Sequence, residues 1–184
     1  MKHPYESDER LMQEAAGGAH EAFSLLMRRY ANPILTFLRR MTQDHHRAEE
    51  LFQEVFLAIW TSRRKYAFPR SVRPWVFGIA MNKCRQEFRK QGDPLVVPDS
   101  HYADTALEHG PPPDEGAIAT ENAALVETAL LRLPMQQRTV VALRLWNGMS
   151  FAEIAEVVGC GESTARSNMH HGLNAMRDYL EPRL

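Results

Sequence analysis

Residues 148–180 read GMSFAEIAEVVGCGESTARSNMHHGLNAMRDYL, two short helical patterns broken by GCGES. Ile154, Ala155 and Val158 form one narrow apolar stripe. Ala165, Met169, Leu173, Met176 and Leu180 form a second, at steps of four, four, three and four. Gly159 suits a left-handed cap closing the first helix. Ser163 is placed to cap the second by accepting a hydrogen bond from a free backbone N–H. So short a connection between such narrow stripes describes a helix-turn-helix, whose second helix keeps one face free to read a DNA groove. Opposite Ala165 and Met169 that face carries Ser163, Ser167, His170, His171 and Asn174, with Arg166 at its edge. All of them donate hydrogen bonds suited to phosphates or base edges. An ordinary helical hairpin with a solvated polar face has the same pattern, and this stretch alone leaves both readings open.

Outside this stretch the chain has the composition of a soluble globular protein, 44% hydrophobic and 24% charged over 184 residues, which suits one or two small domains. The opening MKHPYESDER has no apolar core, so no signal peptide is expected, and no apolar run approaches the roughly 20 residues that span a bilayer. Cys84 and Cys160 stand apart from any metal-spaced Cys/His set and read as reduced packing thiols in a cytoplasmic protein. No metal or cofactor is expected.

The net charge of −1 conceals three different electrostatic objects. Residues 28–90 carry +9, residues 91–120 carry −6, and residues 121–184 carry −1. The middle segment holds five of the eleven prolines and little periodicity. It reads as a flexible acidic linker over 92–119 between two helical domains, 1–91 and 120–184.

No strand-like alternation appears, so the expected fold is all-α. Phe23, Leu26, Met27, Tyr30, Ile34, Phe37, Leu38 and Met41 keep helical spacing, with Pro33 expected to kink or interrupt the helix. Asp44 is a plausible cap for a second helix, whose buried stripe is Leu51, Val55, Phe56 and Ile59. Glu50, Gln53, Glu54 and Leu57 form a separate, mixed face on that helix, which packing alone does not require. A third helix starts near Pro74. Before it, Arg63, Arg64, Lys65, Tyr66, Phe68, Arg70, Arg73 and Trp75 interleave cations with rings, and Lys83, Arg85, Arg89 and Lys90 follow on the helix beside Asn82. Cations neutralise phosphates and exposed rings stack on unpaired bases, so a surface for single-stranded nucleic acid is one reading. A buried Phe68 and Trp75 with solvated arginines is the other.

Four segments in order resemble the extracytoplasmic-function group of bacterial RNA polymerase sigma factors. They are AFSLLMRRYANPILTFLRRM, RAEELFQEVFLAIW, VRPWVFGIAMNKCRQEFRK, and the stretch from LRLPMQQRTVVALRLW to the C-terminal helix-turn-helix. The resemblance implies a protein with no chemistry of its own that directs polymerase to promoters and starts transcription under the control of an anti-sigma factor. It implies docking on the clamp helices of the largest polymerase subunit through Glu50, Gln53, Glu54 and Leu57. Recognition and melting of the −10 non-template strand would fall to Lys65, Tyr66, Arg70, Arg73, Trp75, Asn82, Lys83, Arg85 and Arg89. The −35 duplex would be read by Ser163, Thr164, Arg166, Ser167, His170 and His171. Met81 departs from the family's usual arginine, Gln86 from a frequent acidic residue, Asn168 and His171 from common basic ones, and Gly172 from a common alanine. Two other classes remain in view. A two-domain operator-binding regulator would not bind core polymerase. An enzyme is disfavoured by scattered histidines and by the lack of a phosphate loop, HExxH or nucleophile elbow.

Overall fold

A computed structural model describes residues 6–42, 44–91 and 118–183; the expected linker lies almost wholly outside them. Within them the chain is helical, with no strand: α1 (Asp8–Ala16), α2 (His20–Thr42), α3 (His45–Ser62), a 3₁₀ turn (Arg63–Lys65), α4 (Val72–Gln91), α5 (Ile118–Leu131), α6 (Met135–Leu145), α7 (Phe151–Val158) and α8 (Glu162–Leu180). Helices α1–α4 form one bundle and α5–α8 another.

Helix α1 has no counterpart in the sequence reading. Ser7 starts it by accepting from the Arg10 N–H, and its stripe of Leu11, Met12 and Ala15 is wholly buried. Asp8 holds α1 to α2, taking bonds of 2.5 Å from both Arg29 Nη1 and the Tyr30 hydroxyl. Burial, and then the Asp8 carboxylate, push the Tyr30 phenol well above its ordinary range. Helix α2 runs unbroken through Pro33 rather than ending there. The proline lacks an N–H and so removes one helical donor. Packing on both sides carries the helix across: Tyr30, Ile34, Phe37 and Leu38 are all buried.

Asp44 caps α3 as expected, its Oδ1 accepting from the Arg47 N–H at 3.0 Å. The buried stripe is also as expected, with Ala48 added. A glutamate from α1 serves the start of α4, Glu9 Oε1 accepting from the Val72 N–H at 3.4 Å.

In the second bundle, Ser150 and Glu153 form a reciprocal capping box at the start of α7, and Gly159 closes that helix at φ +80°. Two expectations for α8 need correction. Its cap is Gly161 with no side-chain bond, and Ser163 already lies inside the helix. Its buried stripe is Ala165, Met169, Gly172 and Met176, whereas Leu173 is 42% exposed. Gly172 takes the inward place because α8 lies close against α6. A Cβ there would meet Val141 Cγ2 at 2.9 Å and Leu133 Cδ1 at 3.4 Å.

The two bundles pack into one continuous core. Arg138 of α6, almost wholly buried, donates to the Met41 carbonyl at 2.9 Å and to the carbonyls of Leu131 and Leu133. Next to it, the Thr139 hydroxyl lies 3.3 Å from Met81 Sδ, and Arg40 stacks over Trp146 at 4.4 Å.

Gly172→Ala should lower the melting temperature of the protein. The gain of about 1 kcal/mol in helix propensity is outweighed by overpacking, which costs about 1–3 kcal/mol. Combined with Val141→Ala, it should cost less than the sum of the two single changes, as a double-mutant cycle of thermal unfolding would show. Cys84 is wholly buried and its thiol is pushed up to about 12, chiefly by burial. It should therefore stay unalkylated by iodoacetamide at pH 8 until denaturant is added, as peptide mass spectrometry would read.

Candidate nucleic-acid and protein interfaces

Helices α3 and α4 are clasped by ion pairs at two levels. Arg47 bonds to Glu87 and Glu50, and Lys83 Nζ donates to Glu54 Oε2 at 3.0 Å. Glu87 is buried, so its charge requires a partner from the protein. Bonds from Glu87 and Glu50 hold the Arg47 guanidinium more firmly protonated than usual. The mixed face of α3 therefore divides. Gln53 and Glu50 are exposed, Leu57 stands 63% exposed, and Glu54 is half-buried under Lys83.

The residues expected at the −10 strand do not all share one environment. Tyr66 is buried: its hydroxyl donates to the Arg70 carbonyl and its ring meets that of half-buried Trp75 edge-on at 5.6 Å. It braces the loop instead of presenting a platform. The exposed ring there is Phe68, at 52%. Lys65, Asn82 and Arg89 are also exposed.

Three other cations of this set are engaged by the second bundle. Arg70 Nη2 lies 2.5 Å from Glu156 Oε1. Arg73 donates to the Asn147 carbonyl and lies 4.0 Å from Glu153. Arg85 Nη2 donates to the Val158 carbonyl at 2.8 Å, and burial followed by the nearby charge of Arg89 lowers its pKa. Sequence reading had no access to these partners, which lie 73 to 86 residues away along the chain.

On α8, Ser163, Thr164, Ser167, His170 and His171 are all exposed along one side and its start. Arg166 reaches back to Glu162 at 2.5 Å and lies 4.5 Å over the Phe151 ring, so it is held at the edge of that face. His170 Nε2 and Asn174 Nδ2 are 3.0 Å apart. Because Gly161 brings no side-chain cap, the first N–H groups of α8 point outward without one, and the helix dipole adds positive character there. A phosphate suits that end. Among the described residues no group of three His, Cys, Asp or Glu side chains could hold a metal, and no helix is long and apolar enough to cross a membrane.

Two segments of the chain match known families. Residues 26–93 match the Sigma-70 region 2 family and residues 123–176 match Sigma-70, region 4. The ECF RNA polymerase sigma factor SigL of Mycobacterium tuberculosis is 30% identical over 89% of this chain and 94% of its own. Among solved structures, CnrH in complex with the cytosolic domain of CnrY aligns with a TM-score of 0.76 at 22% identity, over 97% of this chain and 100% of that one. The sigma factor RpoE in complex with the anti-sigma factor NepR, from Bartonella quintana, aligns at 0.67 and 21% identity, over 88% and 98%. The chain belongs to the extracytoplasmic-function group of RNA polymerase sigma factors.

Proposed function

We propose that this sigma factor docks on the clamp helices of the largest subunit of core RNA polymerase through the outer face of α3, built from Glu50, Gln53 and Leu57 with Glu54 at its inner edge. One observation carries the reading: Leu57 is 63% exposed, flanked by polar groups, on a helix whose opposite stripe is buried throughout. A single exposed leucine is ordinary on a protein surface, but set among Glu50, Gln53 and Glu54 within the segment that matches Sigma-70 region 2 it supports a protein contact. Residues 1–91 then contact the −10 non-template strand with Lys65, Arg70, Arg73, Trp75, Asn82, Lys83, Arg85 and Arg89. Exposed Phe68 is added to that set and Tyr66 serves as its brace. Residues 120–184 read the −35 duplex with Ser163, Thr164, Arg166, Ser167, His170 and His171, and residues 92–119 join the two domains. As a transcription initiation factor in the cytoplasm, the chain relies on the polymerase for chemistry. An anti-sigma factor is proposed as a further partner, since RpoE of Bartonella quintana was solved with one.

Gln53→Arg and Leu57→Arg should each weaken binding to core polymerase at least tenfold, about 1.4 kcal/mol, with unchanged circular dichroism. Val55→Asp, which buries an unpaired charge, should unfold the first bundle. Wild-type protein that fails to bind core at all would instead favour an operator-binding regulator. On a mapped promoter, Trp75→Ala and Asn82→Ala should reduce permanganate reactivity of the opened strand more than they reduce closed-complex binding.

A further inference from the structure

We propose that Glu9 of α1 is a positioning residue for the loop 66–72, fixing the direction from which Phe68 meets the opened −10 strand and so sharpening the choice of base there. The inference rests on the functional reading above. It adds a residue that lies ahead of the segment matching Sigma-70 region 2, residues 26–93.

Glu9 stands at the neck of the loop and acts on both of its ends. Its Oε1 accepts from the N–H of Val72, the first residue of α4, at 3.4 Å. That N–H belongs to a helix start, where the helix supplies no acceptor and the dipole favours a carboxylate. At the other end stands Tyr66. Burial first, and then the charge of Glu9, raise its phenol above the ordinary range, with Arg70 opposing them. The same hydroxyl donates to the Arg70 carbonyl, which closes the loop on itself.

Glu9 can serve as a tether because α1 is itself held in place. Asp8 takes bonds from Arg29 and Tyr30 of α2, and Arg29 also donates to the Glu6 carbonyl at 2.7 Å. Leu11, Met12 and Ala15 are wholly buried. Helix α1 also packs against the 3₁₀ turn that leads into the loop. Every one of these contacts lies within the first bundle.

From this anchored neck Ala67, Phe68, Pro69, Arg70 and Ser71 stand exposed, and the Phe68 ring is the large apolar group among them. A ring on a tethered loop has less freedom to lose on stacking, and it meets every base from one direction. A ring on a slack loop adapts to any base, since each has a stackable face. For strand binding itself the carboxylate is unfavourable, because a negative charge beside a surface for phosphates weakens it. Its bond to the Val72 N–H accounts for it as a tether of the loop.

The test uses the full chain as wild type, Glu9→Ala, Glu9→Gln, Glu9→Asp, Phe68→Ala and, as an exposed control on α1, Gln13→Ala. Glutamine keeps an acceptor that reaches Val72. Aspartate keeps the acidic first turn of α1 but falls one methylene short, so it separates reach from the stability of α1. Hydrogen exchange over residues 66–73 should be at least about tenfold faster in Glu9→Ala and Glu9→Asp, and near wild type in Glu9→Gln and Gln13→Ala. Each protein is then assembled with core polymerase on a mapped promoter and on versions carrying the other bases at each −10 position. Single-round run-off transcription gives the ratio of yield on the best base to yield on the worst. Glu9→Ala and Glu9→Asp should lower that ratio at least about fivefold, whereas Glu9→Gln should keep it within about twofold. A purely electrostatic role would move Glu9→Ala and Glu9→Gln together and would overturn the proposal. An unchanged ratio in Glu9→Ala and Glu9→Asp would overturn it too, whatever their exchange rates. If Phe68→Ala also leaves the ratio unchanged, the −10 role of the loop fails with it; if Phe68→Ala lowers the ratio and the Glu9 variants do not, the proposal fails alone.

Discussion

A guanidinium taken out of water has to find acceptors inside the protein, and the position of Arg138 shows what that requirement builds. It lies at the start of α6 and reaches the carbonyl ends of two other helices: Met41 at the end of α2, and Leu131 with Leu133 at the end of α5. Helix C-termini carry unpaired carbonyls and a partial negative charge, so a buried cation stabilises them while being stabilised itself. Removing the side chain would strand those carbonyls, and removing the carbonyls would strand a charge. The end of α2, the α5–α6 turn and the start of α6 are all tied together by satisfying this one group. Thr139 and Met81 then meet as neighbours of a position already set.

Within the first bundle the same logic works through carboxylates. Asp8 ties α1 to α2, Glu9 serves the start of α4, and Glu87 binds Arg47 across the α3–α4 seam. Helix α1, short and acidic, thereby becomes a support for the loop that carries Tyr66, Phe68 and Arg70. Three sides of that loop are fixed by named bonds, and its tip presents one open ring.

Features set by nearest neighbours along the chain were legible in the sequence. The Asp44 cap, the left-handed Gly159 and the α3 stripe each need only a few adjacent residues, and each stands where periodicity and cap chemistry put it. The outward face of α8 was readable for the same reason. What was hidden depends on what lies opposite. Leu173 outranks Gly172 in hydropathy, yet α6 approaches so closely that only the glycine fits inward. Tyr66 looked like an exposed ring until the Arg70 carbonyl took its hydroxyl. Nothing local marks Glu156 as the partner of Arg70, because tertiary packing creates that pair. Helix α1 escaped notice because its apolar stripe is only three residues long.

The ion pair between Glu54 and Lys83 joins α3, proposed to face polymerase, to α4, proposed to face the opened strand. Any partner that draws Glu54 to itself leaves Lys83 without its carboxylate, and any phosphate that draws Lys83 away leaves Glu54 free. Each event lowers what the other must spend on breaking the pair. Thermodynamic linkage makes the effect equal in both directions. On the roles proposed for α3 and α4, a single bond of 3.0 Å between two side chains would couple occupancy of the one to occupancy of the other with no change of backbone.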